Sequence, residues 1–136
     1  MILKGDEVLV VKHREQDAHY AFPGGHMEKG ENPEDCIIRE IEEELGVKLE
    51  SPKLAYVYTW DGNDGVVNVE FFFVVEEGQE FGDLEVIKNK KRSHAFEIFD
   101  MQWVNKESTL NILPTKVFQD FKASGSRFDG VKYISN

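Results

Sequence analysis

The sequence predicts an α/β domain built on a mixed β-sheet with helices against both faces. Three observations predict it. Short runs of strand composition, such as Val8-Leu9-Val10-Val11, alternate with two stretches of helical periodicity. Strand and helix patterns interleave along the chain, which asks for a sheet covered on both sides. With 136 residues and no internal repeat, low-complexity tract or linker, the chain reads as a single domain over 1–136, long enough to bury a real core.

The elements follow in order. Ile2-Leu3 end one strand, Lys4-Gly5-Asp6 turn, and Glu7 to Lys12 form the next, so the opening is a hairpin. A loop leads to Ala21-Phe22-Pro23-Gly24-Gly25. The strongest helix signal runs from Pro33 to Leu45. Asn32 suits the N-cap, Pro33 the first helical position, and Glu34 and Asp35 the positive end of the helix dipole. Gly46 supplies the stop. Ile37, Ile38, Ile41 and Leu45 fall on one stripe. Strands are expected over Leu54 to Trp60 and Val66 to Val75, joined by the turn-rich Asp61-Gly62-Asn63-Asp64-Gly65. Glu76 to Ala95 reads mostly as loop and Met101 to Val104 as a short strand. Pro114 to Ala123 reads as a second helix with Val117, Phe118 and Phe121 on one side. Nothing in the pattern assigns structure to the tail from Gly125.

Composition narrows the function. The formal net charge of −10 repels a polyphosphate backbone, so duplex DNA or RNA is an unsuitable partner. A small anionic substrate needs something that reverses the local field, and a divalent cation does so. One cysteine, Cys36, excludes an internal disulfide framework. No apolar run approaches the roughly 20 residues of a membrane span. The first residues lack a signal-peptide layout, so a cytoplasmic location is the default expectation.

The chemistry is concentrated between Gly25 and Val47. At about 100° per residue Glu40 and Glu44 lie one turn apart on the same helix face, and Glu43 flanks them. Three crowded carboxylates repel one another and favour a hard divalent cation such as Mg²⁺ or Mn²⁺. Gly24-Gly25 lets the backbone come close enough for a main-chain carbonyl to join the ligands. A glutamate-rich helix is usually only a solvated face. Here Gly25, Glu31 and the run Arg39-Glu40-Ile41-Glu42-Glu43-Glu44-Leu45-Gly46-Val47 match one spaced pattern. At ordinary residue usage, chance agreement is on the order of one in a billion per start position.

That pattern resembles the complete Nudix box, with Phe22-Pro23-Gly24-Gly25 resembling the usual lead-in. The resemblance implies an α/β/α sandwich around a mixed sheet. It implies that Glu40, Glu43 and Glu44 hold the metal, with the Gly24 carbonyl as a further ligand. Arg39 and Glu31 would orient the glutamates through charge-assisted hydrogen bonds. The implied reaction is water attack on phosphorus in a nucleoside diphosphate linked to a further group, with a carboxylate as general base. Glu43 and Glu44, assisted by Arg39, are the catalytic candidates. Glu97 is where the resemblance places a further acid. Relative to the family, the chain enters the first strand several residues in.

Among substrate classes, a MutT-type nucleoside triphosphate pyrophosphatase leads by elimination. The proline that ADP-ribose pyrophosphatases tend to carry past the box is replaced by the Asp61 to Gly65 turn. A nucleotide sugar such as ADP-ribose is the alternative within the family. Outside hydrolysis, the alternatives are a sensor that binds without cleaving and a diphosphate isomerase. Sensors typically lose box glutamates, and this chain keeps them all. An isomerase would need additional catalytic residues that the sequence does not offer. The expected partner is a small nucleotide-like diphosphate rather than a nucleic-acid polymer or a membrane, and a homodimer is compatible with the resemblance.

Other residues carry weaker signals. Lys12, Arg14 and His26 lie near the box loop and are candidates to contact substrate. Cys36 reads as a small packing residue, since metal-activated water needs no thiol. Tyr58, Trp60 and Phe71-Phe72-Phe73 read mostly as core. Lys88, Lys90, Lys91 and Arg92 are the one basic cluster, read first as a solvated loop and second as a flap over the substrate phosphates.

Overall fold

Strand β2 (Glu7–Lys12) organises the molecule, because it is buried on both faces. Val8 and Val10 point into one core cluster and Leu9 and Val11 into another, as the period of two requires. The computed structural model describes residues 1–76, 84–85, 98–125 and 127–136. Glu97 and the cluster Lys88, Lys90, Lys91 and Arg92 lie outside those residues.

Along one edge of β2 run β1 (Ile2–Lys4), antiparallel through Leu3 and Val8, and β3 (Tyr20–Ala21), through Ala21 and Val11. Along the other edge runs β6 (Asp100–Val104), antiparallel over Val8 to Lys12. The sheet continues from β1 to β5 (Val67–Glu76) in parallel, then to β4 (Lys53–Asp61) antiparallel. A two-residue strand β7 (Ile112–Leu113) joins β3 in parallel, and β8 (Lys132–Ser135) joins β4 in parallel. The order is β7-β3-β2-β1-β5-β4-β8, with β6 attached to β2. The sheet is mixed, as expected.

Helix α1 (Pro33–Leu45) has the predicted bounds. The Asn32 side chain accepts from the Asp35 amide at 2.9 Å, and Gly46 closes the helix in the left-handed conformation. Ile41 and Leu45 are fully buried against Leu9, Val11 and Met101. Each such side chain contributes about 1.5–3 kcal/mol relative to exposure. Ile37 and Ile38 complete the stripe at partial burial. Helix α2 (Thr115–Ser124) covers the opposite face with Val117, Phe118 and Phe121, packing on Tyr56, Val8 and Val10.

Three short strands escape the sequence reading. Two-residue β3 and β7 are held by their neighbours rather than by composition. The tail folds into β8 because Tyr56, Asp120, Ser124 and Lys132 form one hydrogen-bonded cluster. No described helix is long and apolar enough to cross a membrane.

Candidate active site

The box loop returns over the flank of α1 and creates a hollow of about 450 Å³. Glu40, Glu43 and Glu44 line it together with Arg39, Glu28, Gly24, Gly25, His13 and His26. The three glutamates thus share one hollow, as their helical phase predicts. Glu42 is exposed on the other side of the helix.

Their environments differ. Glu44 is the one charged residue in the described core, at 2% exposure. An ionised carboxylate so deep must be partnered. One partner is the Gly24 amide, which donates to Glu44 Oε2 at 3.1 Å. This bond ties the glycine pair to the helix. Gly24 has φ +148°, a conformation that favours glycine. Gly25 matters for a different reason. A Cβ there would stand 2.3–2.5 Å from the Glu40 carboxylate atoms, so a side chain would displace that carboxylate or the loop.

Arg39 is the hub. Its Nε donates to Glu31 Oε1 at 2.9 Å and its NH2 to Glu31 Oε2 at 3.0 Å, a two-pronged grip. Its NH1 donates to Glu40 Oε1 at 2.8 Å and Glu43 Oε2 at 3.2 Å. NH2 also reaches the His26 carbonyl at 3.1 Å. One guanidinium therefore joins the loop, Glu31 and two of the three box glutamates. Arg39 holds the Glu31 carboxyl down to about 2, helped by the Glu28 amide. Glu31, followed by Glu40, raises the Arg39 pKa above its already high value.

Cys36 is buried, with Sγ 4.0 Å from the Gly25 carbonyl oxygen. Burial, then the nearby Glu31 charge, push its thiol up to about 11. A thiol in that state is a packing group and a poor nucleophile.

Among the described residues, no three acidic, histidine or cysteine side chains are gathered so as to hold an ion as they stand, because Arg39 draws Glu40 and Glu43 toward itself. The chemistry nevertheless fits. Three carboxylates, Glu31, Glu40 and Glu43, pair with one guanidinium and Glu44 lines the same hollow, leaving excess negative charge beside a concave surface. All the side-chain donors among them are hard oxygens.

The remaining candidates divide. His26 lines the hollow, as does His13, which sequence reasoning passed over between its two basic neighbours. Lys12 Nζ lies over the Phe99 ring, 5.8 Å from its centroid. Arg14 is exposed, its amide accepted by Asp17 at 3.0 Å. Neither Lys12 nor Arg14 is among the residues lining this hollow. A strand-end alternation would have singled out His13, which follows Leu9 and Val11 on the face toward α1.

A second hollow of about 460 Å³ adjoins the first, sharing His13, Gly24, Gly25 and His26. Its other walls are mostly aromatic and aliphatic, including Phe22, Phe71, Phe72, Met27 and Ile37. A carboxylate-lined cleft thus adjoins a mostly apolar one.

Known proteins resemble this chain in sequence and in fold. The Escherichia coli (strain K12) 8-oxo-dGTP diphosphatase is 32% identical over 84 residues, 58% of this chain and 64% of that protein. The Bacillus subtilis (strain 168) ADP-ribose pyrophosphatase is 32% identical over 105 residues, 76% of this chain and 52% of that protein. The matched region therefore spans about half to two thirds of those relatives' length. Among solved structures, a MutT protein from Bacillus halodurans superposes with a TM-score of 0.70 at 20% identity, covering 97% of this chain and 82% of that one, a likeness of fold. The NUDIX domain profile matches residues 1–121, and the chain belongs to the Nudix family.

Proposed function

We propose that the protein is a metal-dependent hydrolase that cleaves a diphosphate bond in a nucleoside diphosphate linked to a further group, with a nucleoside triphosphate as its first substrate class. The observation that carries this reading is the convergence of Glu40, Glu43 and Glu44 on one hollow beside an apolar one. Glu40, Glu43, Glu44 and the Gly24 carbonyl would hold a divalent cation, for which Mg²⁺ is the first choice. Such a cation neutralises phosphate oxygens and lowers the pKa of attacking water.

The chain's own groups do the rest. Arg39 and Glu31 hold the helix flank and the loop in one arrangement, and a cation would have to draw Glu40 and Glu43 away from Arg39. The Gly24 amide fixes the buried Glu44. Glu43, at 28% side-chain exposure against 13% for Glu40, is the box carboxylate with most access to water and is our choice to take its proton. The second hollow receives the organic part of the substrate and excludes water from one side of it. Glu97 remains a further candidate acid. Lys12 and Arg14 remain candidates for contact with the substrate beyond the hollow, with His26 inside it.

The second reading is a nucleotide sugar. It is favoured by the ADP-ribose pyrophosphatase of Bacillus subtilis, which aligns with more of this chain than the 8-oxo-dGTP diphosphatase does. The two are separated by incubating the protein and Mg²⁺ with nucleoside triphosphates, ADP-ribose and dinucleotides, and weighing the products. A nucleoside monophosphate with pyrophosphate supports the first reading; AMP with ribose phosphate supports the second. Absence of turnover across the panel would overturn both and leave a binding module.

A further inference from the structure

One acidic side chain lies among the apolar walls of the second hollow, and nothing in the cleavage chemistry uses it. It is Glu70 on β5. It stands two residues from Phe72, hence on the same sheet face, and Phe72 meets Phe22 edge-on with ring centroids 5.8 Å apart. On neighbouring β4, Trp60 donates from Nε1 to Glu70 Oε1 at 2.9 Å. The indole therefore fixes one carboxylate oxygen of a side chain that lines the hollow.

A carboxylate in such a wall has two chemical consequences. It repels phosphate, so an anionic tail is disfavoured here and would lie in the other hollow only with a cation bound among its glutamates, past the shared residues His13, Gly24, Gly25 and His26. A carboxylate is also an acceptor only. A flat ring resting on Phe22 and Phe72 gains by presenting N–H groups to it and loses by presenting a carbonyl oxygen. Adenine, guanine and cytosine carry an exocyclic amino group; hypoxanthine and uracil carry a hydrogen or a carbonyl in its place.

We infer that Glu70, oriented by Trp60, is a specificity residue that reads the exocyclic amino group of a nucleobase in the second hollow. This rests on the reading of that hollow as the seat of the substrate's organic part. It narrows the substrate class to amino-bearing bases.

The test uses three nucleotide pairs that differ at the amino position: ATP with ITP, GTP with ITP, and CTP with UTP. Hydrolysis is measured with Mg²⁺. Binding of the corresponding monophosphates is measured by calorimetry in metal-free buffer. In the parent protein the amino-bearing member of at least one pair is expected to be favoured about tenfold or more, the usual scale of one well-placed hydrogen bond to a base edge. In Glu70→Gln, whose amide also offers a donor, the ratio should fall toward one. In Trp60→Phe, which frees the carboxylate to turn, it should fall part of the way. A loosened fold lowers both members of a pair together and leaves the ratio unchanged. The inference is overturned if all three pairs lie within about threefold, or if Glu70→Gln keeps the parent ratio. If no triphosphate is cleaved, the proposed activity fails, and the monophosphate ratios still decide the role of Glu70. If no nucleotide binds at all, both fall.

Discussion

The Arg39 guanidinium grips Glu31 with two hydrogen bonds, Nε to Oε1 at 2.9 Å and NH2 to Oε2 at 3.0 Å, and this pair joins the box loop to α1. Arg39 first, then the Glu28 amide, bring the Glu31 carboxyl from 4.5 to about 2. A carboxyl depressed in the folded state contributes stability that is complete above its unfolded value and is lost as pH falls through its folded one. Glu31→Gln should therefore lower the urea midpoint by a constant amount between about pH 7 and pH 5. The gap should narrow below about pH 4.5, with more than half of it gone by about pH 3. Denaturation curves across that range check this. A gap that does not change with pH would mean that the ionised pair contributes nothing to folding.

Gly25→Ala tests the close approach of the loop. The added methyl would stand 2.3–2.5 Å from the Glu40 carboxylate, so either the loop or Glu40 must move. Since Gly25 lies in a surface loop, the fold should survive, while the ligand set is disturbed. The expected result is at least a tenfold weaker Mn²⁺ affinity by calorimetry or electron spin resonance, with a circular dichroism spectrum like the parent's. Unaltered Mn²⁺ affinity would show that Glu40 is not held against Gly25 during binding.

Much of this was legible in the sequence, for identifiable reasons. α1 has its start at Asn32-Pro33, its stop at Gly46 and its buried stripe at Ile41 and Leu45, each written in local chemistry. The glutamate cluster follows from helical phase alone. What the sequence hides is set by distant partners. The tail folds as β8 because β4, whose Tyr56 to Thr59 pair with Lys132 to Ser135, lies more than 70 positions away. β3 and β7 are too short for any period to show. The hollow's lining by His13 rather than Lys12 depends on which way β2 turns its last side chain. The burial of Glu44 to 2% was not legible, because the Gly24 amide that meets it comes from the preceding loop.

The cluster that anchors β8 offers a test of stability away from the site. Asp120 Oδ2 accepts from the buried Tyr56 hydroxyl at 2.9 Å and from Lys132 Nζ at 2.6 Å, with Ser124 Oγ at 3.2 Å. Burial works against the Asp120 charge, but the Lys132 and Tyr56 hydrogen bonds outweigh it and lower its pKa. Asp120→Ala would leave the Tyr56 hydroxyl without this acceptor. An unsatisfied buried polar group costs about 1–3 kcal/mol, so the loss in unfolding free energy should fall in that range. Asp120→Asn, which keeps an acceptor, should cost less. Equal losses for the two variants would mean that the site tolerates an unpaired hydroxyl.

The last expectation separates chemistry from mere acidity. Glu44 and Glu42 lie two residues apart on α1, yet Glu44 is buried at the hollow and Glu42 is exposed on the far side. Both substitutions to glutamine remove one charge and keep the size of the side chain, so any bulk effect of net charge is the same in each. If the proposed activity is right, EDTA should abolish hydrolysis by the parent protein, and Mg²⁺ or Mn²⁺ should restore it. Glu44→Gln should then cost about 10²-fold or more in turnover, the scale seen when a group that stabilises the reacting centre is lost. Its fold should persist, because the amide oxygen of glutamine can still accept from the Gly24 N–H. Glu42→Gln should stay within about twofold of the parent, as surface changes remote from a site do. Initial rates at saturating substrate, with thermal melts beside them, make the comparison. Equal turnover in folded Glu44→Gln and Glu42→Gln would show that the buried glutamate takes no part in cleavage, and full turnover in thoroughly chelated buffer would remove the cation from the reaction.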